Sequence, residues 1–206
     1  MRQVPVNTPL VDESDIEAVT QALREGWISG EGPIVANFET NFASFCNRKH
    51  GVSVTNGTAA IELVIHALGF GVGDEIIVPS FAIISCVSQI LRSGSTPVFV
   101  DSDPITWNMD VDAVEIAITS QTKAIMAVDI FGQSSDTESL LELCQEFNLK
   151  LISDSAQSPN AFRESRLVGT SAHIGGISLN YHKHIHCGEG GVIFTNDDQL
   201  ALRMKL

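Results

Sequence analysis

The sequence has few basic residues and no long apolar run. Only 12 lysines and arginines stand against 25 aspartates and glutamates among 206 residues, which gives a formal net charge of −13. Such a charge repels nucleic-acid backbones and anionic membrane surfaces, so an anionic ligand needs a local positive site. No apolar stretch approaches the roughly 20 residues that cross a bilayer, and the N-terminal residues lack the apolar core of a signal peptide. We therefore expect a cytoplasmic protein that binds neither nucleic acid nor membrane.

Cysteine is also scarce and widely spaced. Its four positions, Cys46, Cys86, Cys144 and Cys187, contain no C-x-x-C pair. Paired thiolates of that spacing build most structural zinc sites, so a zinc site of four thiolates is not indicated. Reduced and mostly packed thiols are the expected state.

Short apolar strands alternate with amphipathic helices along most of the chain. Two helices are expected first, from about Ser14 to a stop at Gly26 and from about Ile34 to Phe45. Strands are then predicted at 52–55, 75–78, 97–100, 124–128, 150–153, 176–178 and 191–194, and helices ending near Leu68 and Ser93, at 111–118, at 137–147 and from about Asp197. This alternation predicts one α/β domain with a largely parallel sheet, covered on both faces, that binds ligands at the carboxyl ends of its strands.

The turn after the first of these strands has the features of an anion site. In Asn56-Gly57-Thr58-Ala59-Ala60, the glycine permits a tight turn and the following amides open a helix. Exposed N–H groups and the helix dipole attract an anion there, although many such turns bind nothing. The glycines of 69–73 only superficially resemble a dinucleotide loop, because they close a helix and precede a strand.

Asp154 follows a buried strand, where a carboxylate is costly unless it meets a cation or hydrogen-bond donors. Gln157, three residues further on, could face the same cavity. The alternative is that Asp154 only caps a loop.

Lys183 lies in a polar segment that runs into glycines. A lone lysine is usually a solvated charge, but a desolvated amine can react with an aldehyde. The alternating His182, His184 and His186 would share one face of a strand and could bind a transition metal together with Cys187. Because the glycines favour a turn over a straight strand, no metal site is expected.

Together these motifs resemble the DegT/DnrJ/EryC1/StrS family of pyridoxal 5'-phosphate (PLP)-dependent sugar aminotransferases over nearly the whole chain. The turn 56–60 matches the family's phosphate motif, and Asp154-Ser155-Ala156-Gln157 matches its D-x-A-Q motif. Ser178, Lys183-His184-Ile185 and Gly188-Glu189-Gly190-Gly191 match its lysine segment.

The resemblance implies a three-layer αβα sandwich, the large domain of an aspartate aminotransferase-like, fold type I enzyme, with PLP as cofactor. It implies that the amides of Thr58 and Ala59 and the Ser178 hydroxyl hold the phosphate, and that Gly57 also belongs to the cofactor site. It implies that Asp154 pairs with the pyridine nitrogen, Gln157 contacts the region of the phenolic oxygen, and Lys183 holds the cofactor covalently and then moves protons. Ile83 stands where members often carry an aromatic residue that stacks on the ring.

The implied reaction transfers an amino group from an amino-acid donor, expected to be glutamate, to a keto-sugar linked to a nucleotide diphosphate. The loop at 26–29 is similar to that of perosamine-synthase-like members, which suggests a 4-keto-6-deoxy sugar. A homodimer is expected, with an N-terminal arm at 1–14 and a PLP-binding large domain at 15–206 that lacks the family's C-terminal small domain.

Two alternatives stay open. Some members are sugar dehydratases in which histidine replaces the lysine, and Lys183 argues against that reaction. The chain could also be a truncated, catalytically silent binding or dimerisation module.

Overall fold

Seven α-helices, one short 3-10 helix (Ile130–Gly132) and nine strands are present in the described chain, which in this computed structural model comprises residue 4 and residues 8–205. The helices are α1 (Glu13–Arg24), α2 (Pro33–Phe45), α3 (Gly57–Leu68), α4 (Ile84–Arg92), α5 (Val111–Ala117), α6 (Thr137–Phe147) and α7 (Asp198–Lys205). The strands are β1 (His50–Val54), β2 (Glu75–Pro79), β3 (Thr96–Val100), β4 (Thr122–Val128), β5 (Lys150–Asp154), β6 (Phe162–Arg163), β7 (Arg166–Leu167), β8 (Ile174–Ser178) and β9 (Gly191–Thr195). Every predicted helix and strand is present, and the short β6–β7 hairpin is an addition that the sequence pattern did not indicate.

The main sheet has the strand order β1-β9-β8-β5-β4-β2-β3. Strand β9 is antiparallel to both of its neighbours, and the run from β8 to β3 is parallel throughout. Because β1 and β8 both oppose β9, they point the same way, so the carboxyl ends of six strands meet at one edge. The residues that follow β1, β5 and β8 therefore converge there, as expected for a ligand-binding edge.

Helices cover both faces of this sheet, which confirms the predicted α/β class with a mostly parallel sheet. Successive strand residues point to opposite faces, so Ile76 packs in the core beneath α3, α4 and α7, and Ile77 in the core beneath α5 and α6. Both faces are buried, and the strands accordingly read as continuous apolar runs. Among the described helices, none is long and apolar enough to cross a membrane.

The beginning of α1 differs from the expectation in one detail. The N-cap is Asp12 rather than Ser14, since the Asp12 carboxylate accepts the backbone N–H groups of Ser14 and Asp15 at 2.8 and 3.2 Å. The Asp15 carboxylate in turn accepts the Asp12 N–H, which completes a capping box. Of the predicted N-terminal arm, residues 1–3 and 5–7 lie outside the described residues, and the boundary at 14/15 stays a prediction.

Candidate active site

A cavity of about 690 Å³ opens at the carboxyl edge of the sheet, within the size range of small-molecule sites. Its walls come from the ends of β1, β5 and β8, the starts of α3 and α4, and the loop between β8 and β9. Seven of the eight predicted site residues line it: Gly57, Thr58, Ala59, Ile83, Asp154, Ser178 and Lys183. The topology thus brings together residues up to 126 positions apart, from Gly57 to Lys183.

The start of α3 forms one wall of this cavity and turns its first backbone amides towards it. Asn56 is the N-cap, and its Oδ1 accepts the Ala59 N–H at 2.8 Å. That amide is therefore already occupied, whereas the Thr58 N–H, at the second position of the helix, has no intrahelical partner. A Cβ on Gly57 would lie 2.8 Å from the Cβ of Ser178. Only glycine lets the helix start approach the end of β8 closely enough to put the Ser178 hydroxyl beside it.

Asp154 ends β5 with its side chain on the α3–α4 face of the sheet, two residues after Ile152 of the same core. Its Oδ1 accepts the Ala156 N–H at 3.0 Å, and its Oδ2 accepts the Cys86 thiol at 3.2 Å. Burial raises the pKa of this carboxyl above the usual 3.8, an effect that the two donors and the charge of Lys183 oppose only in part. The group is therefore suited to gain a cationic partner in the cavity.

Lys183 reaches the same cavity from the loop that joins β8 to β9. The loop is held by backbone bonds from Lys183 N to Asn180 O and from Tyr181 N to Gly188 O, both 2.8 Å, and Gly188 adopts a left-handed φ of 87°. Lys183 is half-buried. Within residues 8–205, no side chain or carbonyl forms a hydrogen bond or ion pair with its amine, which is left available to a ligand.

The three nearby histidines do not share the face of a strand. His182, His184 and His186 lie in the irregular loop between β8 and β9, because the backbone reverses between Asn180 and Gly188. In the described part of the chain, no group of three or more His, Cys, Asp or Glu residues is arranged to hold a metal ion.

Gln157 is the predicted site residue that does not line the cavity of Asp154 and Lys183. Its Oε1 accepts the Phe131 N–H at 3.0 Å, and it borders a separate cavity of about 480 Å³ together with His184 and Ile185. In this arrangement the Gln157 amide orders the turn after β4.

Other residues of the cavity carry no motif that points to them in the sequence. Ser85, on the first turn of α4, lies with its Oγ 2.9 Å from Thr58 Oγ1 and so links the starts of two helices. Asn180 donates its side-chain N–H to Glu189 Oε1 at 2.6 Å across the lysine loop. A serine in the first turn of a helix is a common pattern, and only the packing of α4 against α3 turns Ser85 towards the site.

These features fit PLP as a ligand. The start of α3 offers amides and hydroxyls for a phosphate, and Ile83 adds a 52% exposed apolar wall. Asp154 offers a buried carboxylate for a pyridine nitrogen, and Lys183 offers an amine for an aldehyde. Each reactive or charged group of the cofactor thus has a complementary group in the cavity.

Comparisons with known proteins agree with this picture. The model of the DegT/DnrJ/EryC1/StrS aminotransferase family matches residues 9–206. The GDP-perosamine synthase of Caulobacter vibrioides is 39% identical over 204 residues, which is 99% of this chain and 55% of that protein. The chain therefore spans about half the length of the curated relatives it matches.

Solved structures show the same fold. An aminotransferase from Psychrobacter cryohalolentis has a TM-score of 0.91 at 33% identity. The match covers 98% of this chain and 52% of that aminotransferase. NtdA of Bacillus subtilis, solved with bound cofactor PMP, has a TM-score of 0.84 at 30% identity. The match covers 94% of this chain and 45% of NtdA. From the match over residues 9–206 and this shared fold, the chain belongs to the DegT/DnrJ/EryC1/StrS aminotransferase family.

Proposed function

We propose that the protein is a PLP-dependent aminotransferase that moves an amino group from an amino acid, expected to be glutamate, to a keto-sugar linked to a nucleotide diphosphate. The observation that carries this proposal is the convergence of the Lys183 amine and the buried Asp154 carboxylate on one cavity beside the start of α3. Membership of the family, the GDP-perosamine synthase relative and the PMP-bound neighbour support it.

Bound PLP supplies an electron sink that stabilises a carbanion at the carbon that carries the amino group. Asp154 would hold the proton of the ring nitrogen, and this ion pair would offset the cost of burying the carboxylate. The amides at the start of α3 and the hydroxyls of Ser178 and Ser85 would bind the phosphate, with the Ala59 amide joining them only if it leaves Asn56. Ile83 would cover one face of the ring.

Lys183 would hold the cofactor covalently through its amine. Once an amino donor displaces it, the free amine would take a proton from one carbon atom and return it to another as general acid and base. This role needs an amine without a permanent partner, and the absence of an ion pair to Lys183 among residues 8–205 supports it. Gln157 would contact the cofactor's oxygen region only after exchanging its bond to Phe131 N.

We infer a 4-keto-6-deoxy sugar as the acceptor. The support is the resemblance of the loop at 26–29 and the GDP-perosamine synthase relative. The loop is ordered by the bond from Trp27 N to Ala22 O at 3.0 Å, and the Trp27 ring packs against Gly32.

The function is tested by incubating the PLP-loaded chain with glutamate and GDP-4-keto-6-deoxymannose and examining the sugar by mass spectrometry. The proposal predicts that glutamate bleaches the cofactor absorbance and that the sugar gains an amine, with neither change in the Lys183→Ala variant. A sugar that loses a hydroxyl instead would indicate the dehydratase. A chain that takes up no cofactor, or whose cofactor glutamate leaves unchanged, would indicate a silent module.

We also infer that the chain forms a homodimer in the cytoplasm. Apolar side chains at and before α1 are more than half exposed, which supports an interface: Leu10, Val11, Ile16, Val19 and Leu23. Free thiols buried at Cys46, Cys86 and Cys144 suit a reducing compartment. The division into an arm at 1–14 and a large domain at 15–206 belongs to the same proposal.

A further inference from the structure

The thiol of Cys86 lies directly behind the carboxylate of the candidate site. Cys86 is the third residue of α4, and none of its surface is exposed. Its Sγ lies 3.2 Å from Asp154 Oδ2, within the range of a hydrogen bond to sulfur. In the described part of the chain, this thiol and the Ala156 N–H are the two donors to the carboxylate, one on each oxygen.

Burial and the neighbouring Asp154 keep the Cys86 thiol protonated, so it acts as the donor. Burial is the main cause that raises the pKa of Cys86 far above its usual value, and the neighbouring Asp154 raises it further, so the S–H stays protonated. Lys183, which lines the same cavity, is the cation whose charge lowers the pKa of this carboxyl. Asp129, the residue just after the adjacent strand β4, is bound by the hydroxyls of Ser153 and Ser155 on the other face of the sheet and does not compete for the thiol.

We propose that Cys86 is a positioning residue that fixes the plane of the Asp154 carboxylate for its partner in the cavity. Two donors on two oxygens remove the rotational freedom of the carboxylate, so it meets a ring nitrogen without reorganising. A thiol is a weak hydrogen-bond donor. It can therefore orient the Asp154 carboxylate while leaving most of its negative charge to attract the proton on the ring nitrogen. This role rests on the proposed function, because the ring nitrogen belongs to the proposed cofactor.

If Cys86 only filled space in the core, its substitution would act like that of any other buried thiol. Cys144 is equally suited to fill space, since it is a buried thiol of α6 in the core on the other face of the sheet. Among the residues that the structure describes, no carboxylate pairs with Cys144, and burial raises its pKa to about 12. Substitutions at Cys144 therefore reproduce the loss of packing without the loss of a donor to Asp154.

The first measurement uses the cofactor-free chain. Infrared difference spectra between wild type and Cys86→Ala, and between wild type and Cys144→Ala, isolate the S–H stretching band of each thiol. The proposal expects the Cys86 band at lower frequency than the Cys144 band, and expects Asp154→Asn to move it towards the Cys144 position. Coincident bands, or a Cys86 band that Asp154→Asn leaves in place, would overturn the hydrogen bond.

The second measurement is the dissociation constant of PLP, followed by protein fluorescence. Cys86→Ala is expected to weaken binding about fivefold, equivalent to about 1 kcal/mol, and Cys86→Ser to restore it to within about twofold. Cys144→Ala and Cys144→Ser are expected to bind like wild type. Equal losses at both cysteines, or no loss in Cys86→Ala, would overturn the positioning role. Failure of the wild-type chain to bind PLP would instead overturn the proposed function, and the infrared comparison would still decide whether the thiol binds Asp154.

Discussion

The buried carboxylate of Asp154 lowers the stability of the fold but favours the binding of a cationic group. Burial raises its pKa above 3.8, so between that value and the raised one the folded chain holds a proton that the unfolded chain has lost. The free energy of unfolding contributed by this group therefore falls as pH rises through that window, and it stays low above it. A cation bound in the cavity reverses the penalty.

Asp154→Asn should stabilise the cofactor-free chain at neutral pH by about 1 kcal/mol, because it removes a buried charge that is kept for function and not for stability. It should also flatten the loss of stability with rising pH and weaken PLP binding. Urea unfolding between about pH 4 and 8 measures the first two effects. Asp198→Asn is the control, since that exposed carboxyl pairs with Lys49 and His50 and its pKa is lowered. A less stable Asp154→Asn chain at neutral pH would contradict this explanation.

Asn56 caps α3 and also lines the cavity that is proposed to hold the cofactor phosphate. Asn56→Ala should lower the free energy of unfolding by about 1 kcal/mol, because it leaves the Ala59 N–H without its 2.8 Å acceptor. Asn56→Asp retains the cap and should keep wild-type stability, but its charge should weaken the binding of inorganic phosphate and of PLP. Denaturant melts and phosphate titrations separate the two effects. Unchanged phosphate affinity in Asn56→Asp would show that the turn does not bind anions.

The segment between β7 and β8 packs tightly against Ser153 and Ser155, the residues on either side of Asp154 in the chain. Gly169 has a φ of 81°, and a Cβ there would lie 1.8 Å from Ser155 Oγ, which binds Asp129 at 2.8 Å. Gly169→Ala should therefore cost about 3 kcal/mol through overpacking and backbone strain. Gly69→Ala is the matched control, since its φ is 78° with open space around it, and should cost about 1 kcal/mol. Equal losses in thermal melts would mean that the contact with Ser155 relaxes freely.

Sequence periodicity predicts these elements well because both faces of the sheet are covered, so strands such as β4 and β5 read as apolar runs between amphipathic helices. Asp154, Lys183 and Gly57 could be found because each belongs to a local motif. Cys86 and Ser85 could not, since their contacts with Asp154 and Thr58 depend on how α4 packs against β5 and α3. The N-cap at Asp12 was missed because three polar residues with similar capping preference stand within four positions.

For the chain as a whole, the net charge of −13 opposes self-association and the exposed apolar side chains near α1 favour it. The proposed homodimer should therefore tighten as salt screens the repulsion between chains. Sedimentation equilibrium at low and high salt measures this. A chain that stays monomeric at all concentrations and salt levels would rule out the homodimer for these 206 residues.

The proposed function depends on which amine holds the cofactor, and this amine can be identified by chemical trapping. The chain is incubated with PLP, reduced with borohydride, digested and mapped by mass spectrometry. We predict that the phosphopyridoxyl label lies on Lys183, and that Lys183→Ala abolishes it. A label on Lys49, Lys123, Lys150 or Lys205 in the wild-type chain, or an undiminished label in Lys183→Ala, would contradict the assignment of this cavity as the cofactor site.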